Sequence, residues 1–240
     1  KPDAILHLAG RVGGIKDNAE NQAGYFFDNI TINTNVVHAA YATGVKRLLA
    51  SLSTCAFPDV VPVYPFSEND LFAGPPAKTN FSYGITKRAL YSQIVAYRKQ
   101  HGLIYSAFCP SNIYGPGDNF DINRSHFVAS LVKKLFEASP GENIELWGSG
   151  SPLRQQLYVE DLCSIIPVLL ERHTGEEPLI VANDENLSIR EMASMAASAL
   201  GKDVQFSFNG RLDGQYRKDG SNDLLLDLIG NFKFTKFKDG

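Results

Sequence analysis

Tyr83 and Lys87 stand four residues apart in a stretch whose periodicity predicts a helix, so their side chains share one helical face. A phenol and an ammonium that close can do acid–base chemistry. At about 4 Å and an effective dielectric near 20, the ammonium favours the phenolate by up to about 4 kcal/mol. That would lower the phenol's pKa from about 10 by up to about 3, toward a group that gives and takes a proton near neutrality. Ser53 ends a predicted strand, where its hydroxyl can hydrogen-bond a substrate carbonyl. An isolated Y-x-x-x-K pair reads more readily as a surface helix pair, so the surrounding elements must decide.

Three short apolar runs, 4–9, 47–53 and 104–109, end in small or polar residues and predict parallel strands covered on both faces. Helical patterns at 26–42 and 83–100 separate them, each stopped by a glycine, Gly44 and Gly102. Strand, helix, strand, helix, strand predicts a doubly wound α/β sheet. Ligands of such sheets sit outside the carboxyl ends of the strands, here 7–10, 51–55 and 110–114. Beyond Gly117 the alternation weakens. Helices are expected at 127–137, 159–171 and 189–200, the last behind a Ser188/Glu191 capping box, with strands at 144–147 and 179–181. The division is therefore a main domain over 1–116 and a smaller mixed α/β substrate lobe over 117–240, with 153–183 open to assignment to the main domain. The tail from Gly210 carries no assignable element. The chain opens on a core strand, which is expected of a piece whose first βαβ portion is missing.

A formal charge of −3 argues against non-specific nucleic-acid binding. The longest apolar stretch, 162–170, is too short to span a membrane, and no segment has a signal-peptide pattern. Cys55, Cys109 and Cys163 form neither a disulfide framework nor a metal site, and reduced thiols in a cytoplasmic protein are expected.

Ser53, Tyr83 and Lys87 follow the order and spacing of the short-chain dehydrogenase triad. His7-Leu8-Ala9-Gly10 and Pro110-Ser111-Asn112-Ile113-Tyr114-Gly115-Pro116-Gly117 resemble two strand ends of the extended, NAD-dependent epimerase/dehydratase type, with its Rossmann-type domain. Arg11-Val12-Gly13-Gly14, Ser53-Thr54-Cys55-Ala56-Phe57-Pro58, Gly117-Asp118-Asn119-Phe120 with Ser125-His126, Trp147 to Arg154, and Asp213-Gly214-Gln215-Tyr216-Arg217-Lys218 narrow the resemblance to the GDP-L-fucose synthases.

That resemblance implies a GDP-sugar substrate, NADPH as reductant and a homodimer. GDP-4-keto-6-deoxy-D-mannose would be epimerised at the two carbons flanking its ketone and then reduced to GDP-L-fucose. Ser53 and Tyr83 would stabilise the enolate oxygen, Cys55 would be the base and His126 the acid. Tyr83 would then protonate the reduced oxygen while Lys87 holds the nicotinamide ribose. Leu8, Ala9, Gly10, Lys87, Pro110, Asn112 and Ile113 would contact NADPH, with Asn112 either bonding the cofactor or positioning its loop. Val12, Lys134, Trp147, Arg154 and Asp213 would bind substrate, although many relatives have Arg where Lys134 stands. No metal is implied. Cys109 and Cys163 are expected to be structural, and His38, His101 and His173 to lie on helix surfaces. Val37, Ala40, Ile94 and Tyr97 would face the second subunit.

The G-x-x-G-x-x-G loop of these enzymes is absent from the sequence, and 10–14 neither matches its spacing nor opens a helix cleanly. The 240 residues alone are therefore expected to be inactive, with an aggregation-prone sheet edge. The alternatives are a GDP-colitose synthase, an NAD-dependent 4-epimerase, for which Cys55 and His126 have no use, or a non-catalytic binding protein.

Overall fold

The computed structural model describes residues 1–122, 125–211 and 213–240, and of residues 15 and 16 the backbone alone. In chain order its elements are β1 (Ala4–His7), α1 (Ile15–Glu20), α2 (Gln22–Ala42), β2 (Arg47–Ser51), α3 (Phe81–His101), β3 (Ile104–Pro110), β4 (Asn112–Tyr114), α4 (Phe127–Glu137), β5 (Glu142–Leu146), β6 (Leu153–Tyr158), α5 (Val159–Arg172), β7 (Leu179–Val181), β8 (Asn186–Ser188), α6 (Ile189–Ala199), β9 (Val204–Phe208) and α7 (Asp223–Ile229). A helix does begin after Gly14, contrary to expectation. β1 stops at His7, so residues 8–10 leave the sheet and stand free at its carboxyl end.

The main sheet runs β1-β2-β3-β7, all parallel. Its central strands are apolar at successive residues because both faces are covered. Leu48, Ala50, Tyr105, Ala107 and Ile180 pack under α2 and α3 with Val37, Ala40, Leu90 and Ile94. Leu49, Phe108, Leu179 and Val181 point the other way, onto Leu162, Ile165 and Leu169 of α5 and Leu225 of α7. Burying each such side chain contributes roughly 1.5–3 kcal/mol. Val37, Ala40 and Ile94 therefore cover the chain's own sheet, and the expectation that they face another subunit is wrong.

A second core forms where α4 and α6 cover the parallel pair β5-β9 through Leu131, Leu135, Ile144, Leu146, Ala193 and Ala197. Between the cores lies a small sheet, β4-β6-β8. The chain passes back and forth: β6 pairs with β4 and β8, whereas α5 and β7 return to the main sheet. The Ser188 hydroxyl accepts from the Glu191 amide at 3.1 Å, and the Glu191 carboxylate accepts from the Ser188 amide at 2.8 Å, so the capping box is formed.

Arg47, at the start of β2, ties the end of α5 to the sheet. Its guanidinium donates to the carbonyls of Leu169, Leu170 and His173 at 2.7, 2.9 and 3.0 Å. His173 is not a helix-surface residue. It is 4% exposed and its Nε2 donates to the Ala107 carbonyl at 3.1 Å. Burial, opposed by that hydrogen bond and aided by Arg47 and Arg98, holds its pKa down at about 4. An unfolded histidine titrates near 6.5, so the neutral ring stabilises the fold above that pH, and the contribution is lost as pH falls toward 4. Urea midpoints of the wild-type chain should drop between pH 6.5 and 4.5 by the equivalent of up to about 3 kcal/mol. His173→Gln should start less stable at pH 7.5 and fall less over that range; parallel pH profiles would refute the assignment.

Candidate active site

The end of β2 and the start of α3 are pressed together. Beyond Ser51 the chain makes a single 3-10 turn, Thr54–Ala56, capped by Ser53, whose hydroxyl accepts from the Cys55 amide at 3.2 Å. Gly84 lies directly over this turn, and a Cβ there would overlap the Cys55 carbonyl oxygen and crowd Pro76. Arg88, one turn along α3, donates to the Ala56 carbonyl at 2.6 Å and to the Gly74 carbonyl at 2.7 Å. These contacts set Tyr83 against Ser53 and Cys55. Ser53 and Cys55 both lie close enough to the phenol to be felt there.

The expected effect of Lys87 on Tyr83 is corrected by this geometry. The Lys87 Nζ lies 5.8 Å from the Tyr83 ring centroid and donates to the Ser51 carbonyl at 2.8 Å. Burial, reinforced by Cys55, pushes the phenol above its ordinary pKa, against the opposing influence of the Ser53 hydroxyl. Burial also brings Lys87 down to about 8. Tyr83 is thus held as a neutral phenol, a proton donor at neutral pH.

On one side of this group lies the free end of β1. Leu8 is 53% exposed and Ala9 is also exposed. Gly10 presents a bare backbone, with the Lys87 Nζ 3.9 Å and the Asn29 Oδ1 3.0 Å from where a Cβ would stand. Asn29 clamps the turn by accepting from the Arg11 amide at 2.9 Å and donating to the Arg11 carbonyl at 3.0 Å. Across the sheet, Pro110 is buried at the end of β3, Ile113 is exposed, and the Asn112 side-chain amide donates to the Gln155 carbonyl at 3.3 Å, tying its loop to β6. An exposed apolar strand end, a backbone without a side chain and a buried lysine fit a nicotinamide and its ribose.

On the other side are the groups expected to meet substrate. His126 is the exposed residue that precedes the first turn of α4, and the protein around it, then Lys218, hold its pKa below the ordinary value against the pull of Asp118. Gly14 abuts the Ser125 carbonyl, which brings exposed Val12 and its segment beside His126. Arg154 is half-buried and its charge reaches both Cys55 and Asp213. Lys134 and Trp147 share a cleft of about 310 Å³ between α4 and β5, where Lys134 donates to the Glu145 carbonyl at 2.8 Å. The Asp213 carboxylate is taken up by Ser149, accepting from its amide at 2.6 Å and its hydroxyl at 2.8 Å. Asp213 thereby fixes the turn after Trp147.

One group was missed from sequence. Lys218 donates to the Cys55 Sγ at 3.0 Å, across 163 positions. It lies in the segment that resembles the family's tail, but no local pattern assigns it a role. Its charge is felt at both Cys55 and His126. Burial would push the thiol up; Lys218 foremost, then Ser53 and Arg154, bring it below its ordinary pKa. Cys109, also buried, is pushed up, and Cys163 is exposed on α5. Gly84→Ala removes no reacting group, yet it should lift α3 off the Cys55 turn. A loss of about 1–3 kcal/mol in the urea midpoint is expected, with turnover reduced by at least about tenfold. An alanine variant of unchanged stability and activity would show that the close approach is dispensable.

A family model described as NAD dependent epimerase/dehydratase matches residues 1–182. A probable GDP-L-fucose synthase of Drosophila melanogaster is 34% identical over 98% of this chain and 76% of its own length. GDP-L-fucose synthase 1 of Arabidopsis thaliana is 36% identical over 95% and 69%. Among solved structures, a GDP-L-fucose synthetase from Naegleria fowleri bound to NADP superposes with a TM-score of 0.88 at 32% identity, covering 99% of this chain and 73% of that one. A UDP-glucose 4-epimerase from Thermotoga maritima reaches the same TM-score, 0.88, at 19% identity, a likeness of fold alone. With its triad, thiol and imidazole arranged on that fold, this chain belongs to the NAD dependent epimerase/dehydratase family, among the GDP-L-fucose synthases.

Proposed function

We propose that the chain supplies the catalytic residues for the two-stage conversion of GDP-4-keto-6-deoxy-D-mannose to GDP-L-fucose, in which both carbons beside the ketone are epimerised before NADPH reduces it, a function that also calls for the G-x-x-G-x-x-G loop its sequence lacks. The observation that carries this reading is the meeting of the Cys55 thiol with the Ser53–Tyr83 pair. Ser53 and Tyr83 hydrogen-bond the ketone oxygen. A proton on a flanking carbon then leaves to the Cys55 sulfur: the C–H bond breaks, an S–H bond forms and the electron pair moves onto the oxygen. His126, once protonated, gives its proton to the opposite face as the electron pair returns from the oxygen to the carbon. Solvent then takes the proton from the Cys55 sulfur and reprotonates His126 before the second flanking carbon follows the same course. When bound, NADPH supplies a hydride to the ketone carbon. Tyr83, held protonated by burial, gives its proton to the oxygen. Leu8, Ala9, Gly10, Lys87, Pro110 and Ile113 hold the nicotinamide end. Arg154 suits the diphosphate through its fork of donors, and Trp147 and Lys134 the nucleoside. A plain 4-epimerase has no use for an activated thiol here.

Epimerisation needs no hydride, so deuterium uptake from D2O into GDP-4-keto-6-deoxymannose is measurable without NADPH. Cys55→Ser should lose that exchange by at least about a hundredfold while keeping part of the ketone reduction measured at millimolar NADPH. Equal loss of both would sink the assignment of roles.

Dimerisation belongs to the same reading. It is supported by the aromatic surface that α2 leaves exposed, Phe26, Phe27 and Tyr41. Sedimentation should give a dimer that Phe27→Asp weakens, and a monomeric wild type would remove the idea. No helix among the described residues is long and apolar enough to cross a membrane. A cytoplasmic setting, where the three free cysteines stay reduced, completes the proposal.

A further inference from the structure

Cys55 is half-buried, and a half-buried thiol makes a poor base unless something holds its charged form. The groups facing it are Lys218 and Arg154 from the substrate side, Tyr83 and Lys87 from α3, Cys109 from β3, and the Ser53 hydroxyl. Of the cations, Lys87 donates to the Ser51 carbonyl and Arg154 to the carbonyls of Leu153 and Tyr216. Lys218 alone among these cations hydrogen-bonds the sulfur, at 3.0 Å. It is 8% exposed, and among the described residues no carboxylate pairs with it.

The backbone around Lys218 is built to aim it. Gln215 donates to the carbonyls of Pro58 and Asp59 at 3.1 and 2.7 Å, fastening one side of the segment to the loop that follows Cys55. On the other side the Phe66 amide donates to the Asp219 carbonyl at 2.9 Å, and the Ser221 amide to the Phe66 carbonyl at 2.8 Å. Gln155 of β6 then takes both backbone groups of Gly220, at 3.0 and 3.1 Å. Gly220 has no room for a Cβ between Ile180 and Phe66. Arg217 and Asp219 pair with each other at 2.6 Å, which leaves Lys218 between them facing the sulfur.

We propose that Lys218 holds Cys55 as the thiolate, acting on the sugar only through that sulfur. Its importance for epimerisation rests on the function proposed above. The ionisation itself does not, and it can be measured without substrate. In a Cys163→Ser background, which removes the exposed thiol, the rate of Cys55 alkylation by iodoacetamide is followed from pH 5 to 10 by peptide mass spectrometry. The thiolate sulfur displaces iodide, forming S–C and breaking C–I, so the rate reports the thiolate fraction. The parent should show a midpoint below that of a free thiol, about 8.5. Lys218→Met should raise it by about one unit or more, slowing alkylation at pH 7 about tenfold, and Lys218→Arg should restore most of the reactivity. An unchanged midpoint in Lys218→Met, with its circular dichroism and melting curve like the parent's, overturns the proposal. Should Lys218→Met fail to fold, Lys218→Gln takes its place, and a parent midpoint at or above that of a free thiol overturns the proposal by itself. A shifted midpoint in a protein that exchanges no deuterium into the GDP-sugar would leave the ionic pair standing and defeat the substrate reading instead.

Discussion

The backbone of α3 at Gly84 lies on the Cys55 carbonyl at a separation no side chain permits, and Ser53, Cys55, Tyr83 and Lys87 take their relative places from that contact. The sheet delivers the 3-10 turn after β2, and the helix delivers Tyr83 and Lys87. Their relative height is set by glycine against a carbonyl and locked by the two Arg88 hydrogen bonds. Lys87 then reaches under the turn to the Ser51 carbonyl, while Tyr83 lies over Ser53. A precise site thus comes from a helix end and a strand end in van der Waals contact, both backed by the main core.

Within that site the same physical term acts on every group, and one departs from it. Burial drives Tyr83 up, Lys87 and His126 down, and Cys109 up, each toward its uncharged form. Cys55 moves the opposite way because a cation touches its sulfur. The buried thiol of β3 and the half-buried one after β2 therefore move in opposite directions, and the phenol beside them keeps its proton. That division is what a reaction needing proton removal and proton delivery in one pocket requires.

Legibility in the sequence followed the range of the interactions. The main strands and α2 to α6 were readable because they rest on local apolar runs and on caps such as Ser188 with Glu191. The small sheet was not: Leu153–Tyr158 reads L-R-Q-Q-L-Y, with Gln155 and Gln156 buried against backbone that only tertiary structure brings near. β9 was missed although V-Q-F-S-F alternates as a half-buried strand should. The spacing of Tyr83 and Lys87 correctly put both on one face, but helix geometry says nothing of a competing carbonyl, and Ser51 captured the ammonium. His173 was misplaced because it follows the last turn of α5, where periodicity no longer says which way a side chain points. Lys218 had no local signal, since its partner lies 163 positions away in the sequence.

The tail that holds Lys218 also joins the two halves of the pocket. Leu153 donates its amide to the Tyr216 carbonyl, so Arg154 and Lys218 are carried on neighbouring backbones and approach Cys55 together. With Lys87 on the far side, cations flank the thiol in a chain whose net charge is −3. The local field therefore opposes the global one. It favours a thiolate, an enolate oxygen and a diphosphate alike, and at partly buried sites such charges are screened far less than on the surface. A single displacement of the 215–221 segment would weaken all three preferences at once, because that segment carries both the Tyr216 carbonyl that holds the substrate-side arginine and the hydrogen bonds that place the lysine on the sulfur.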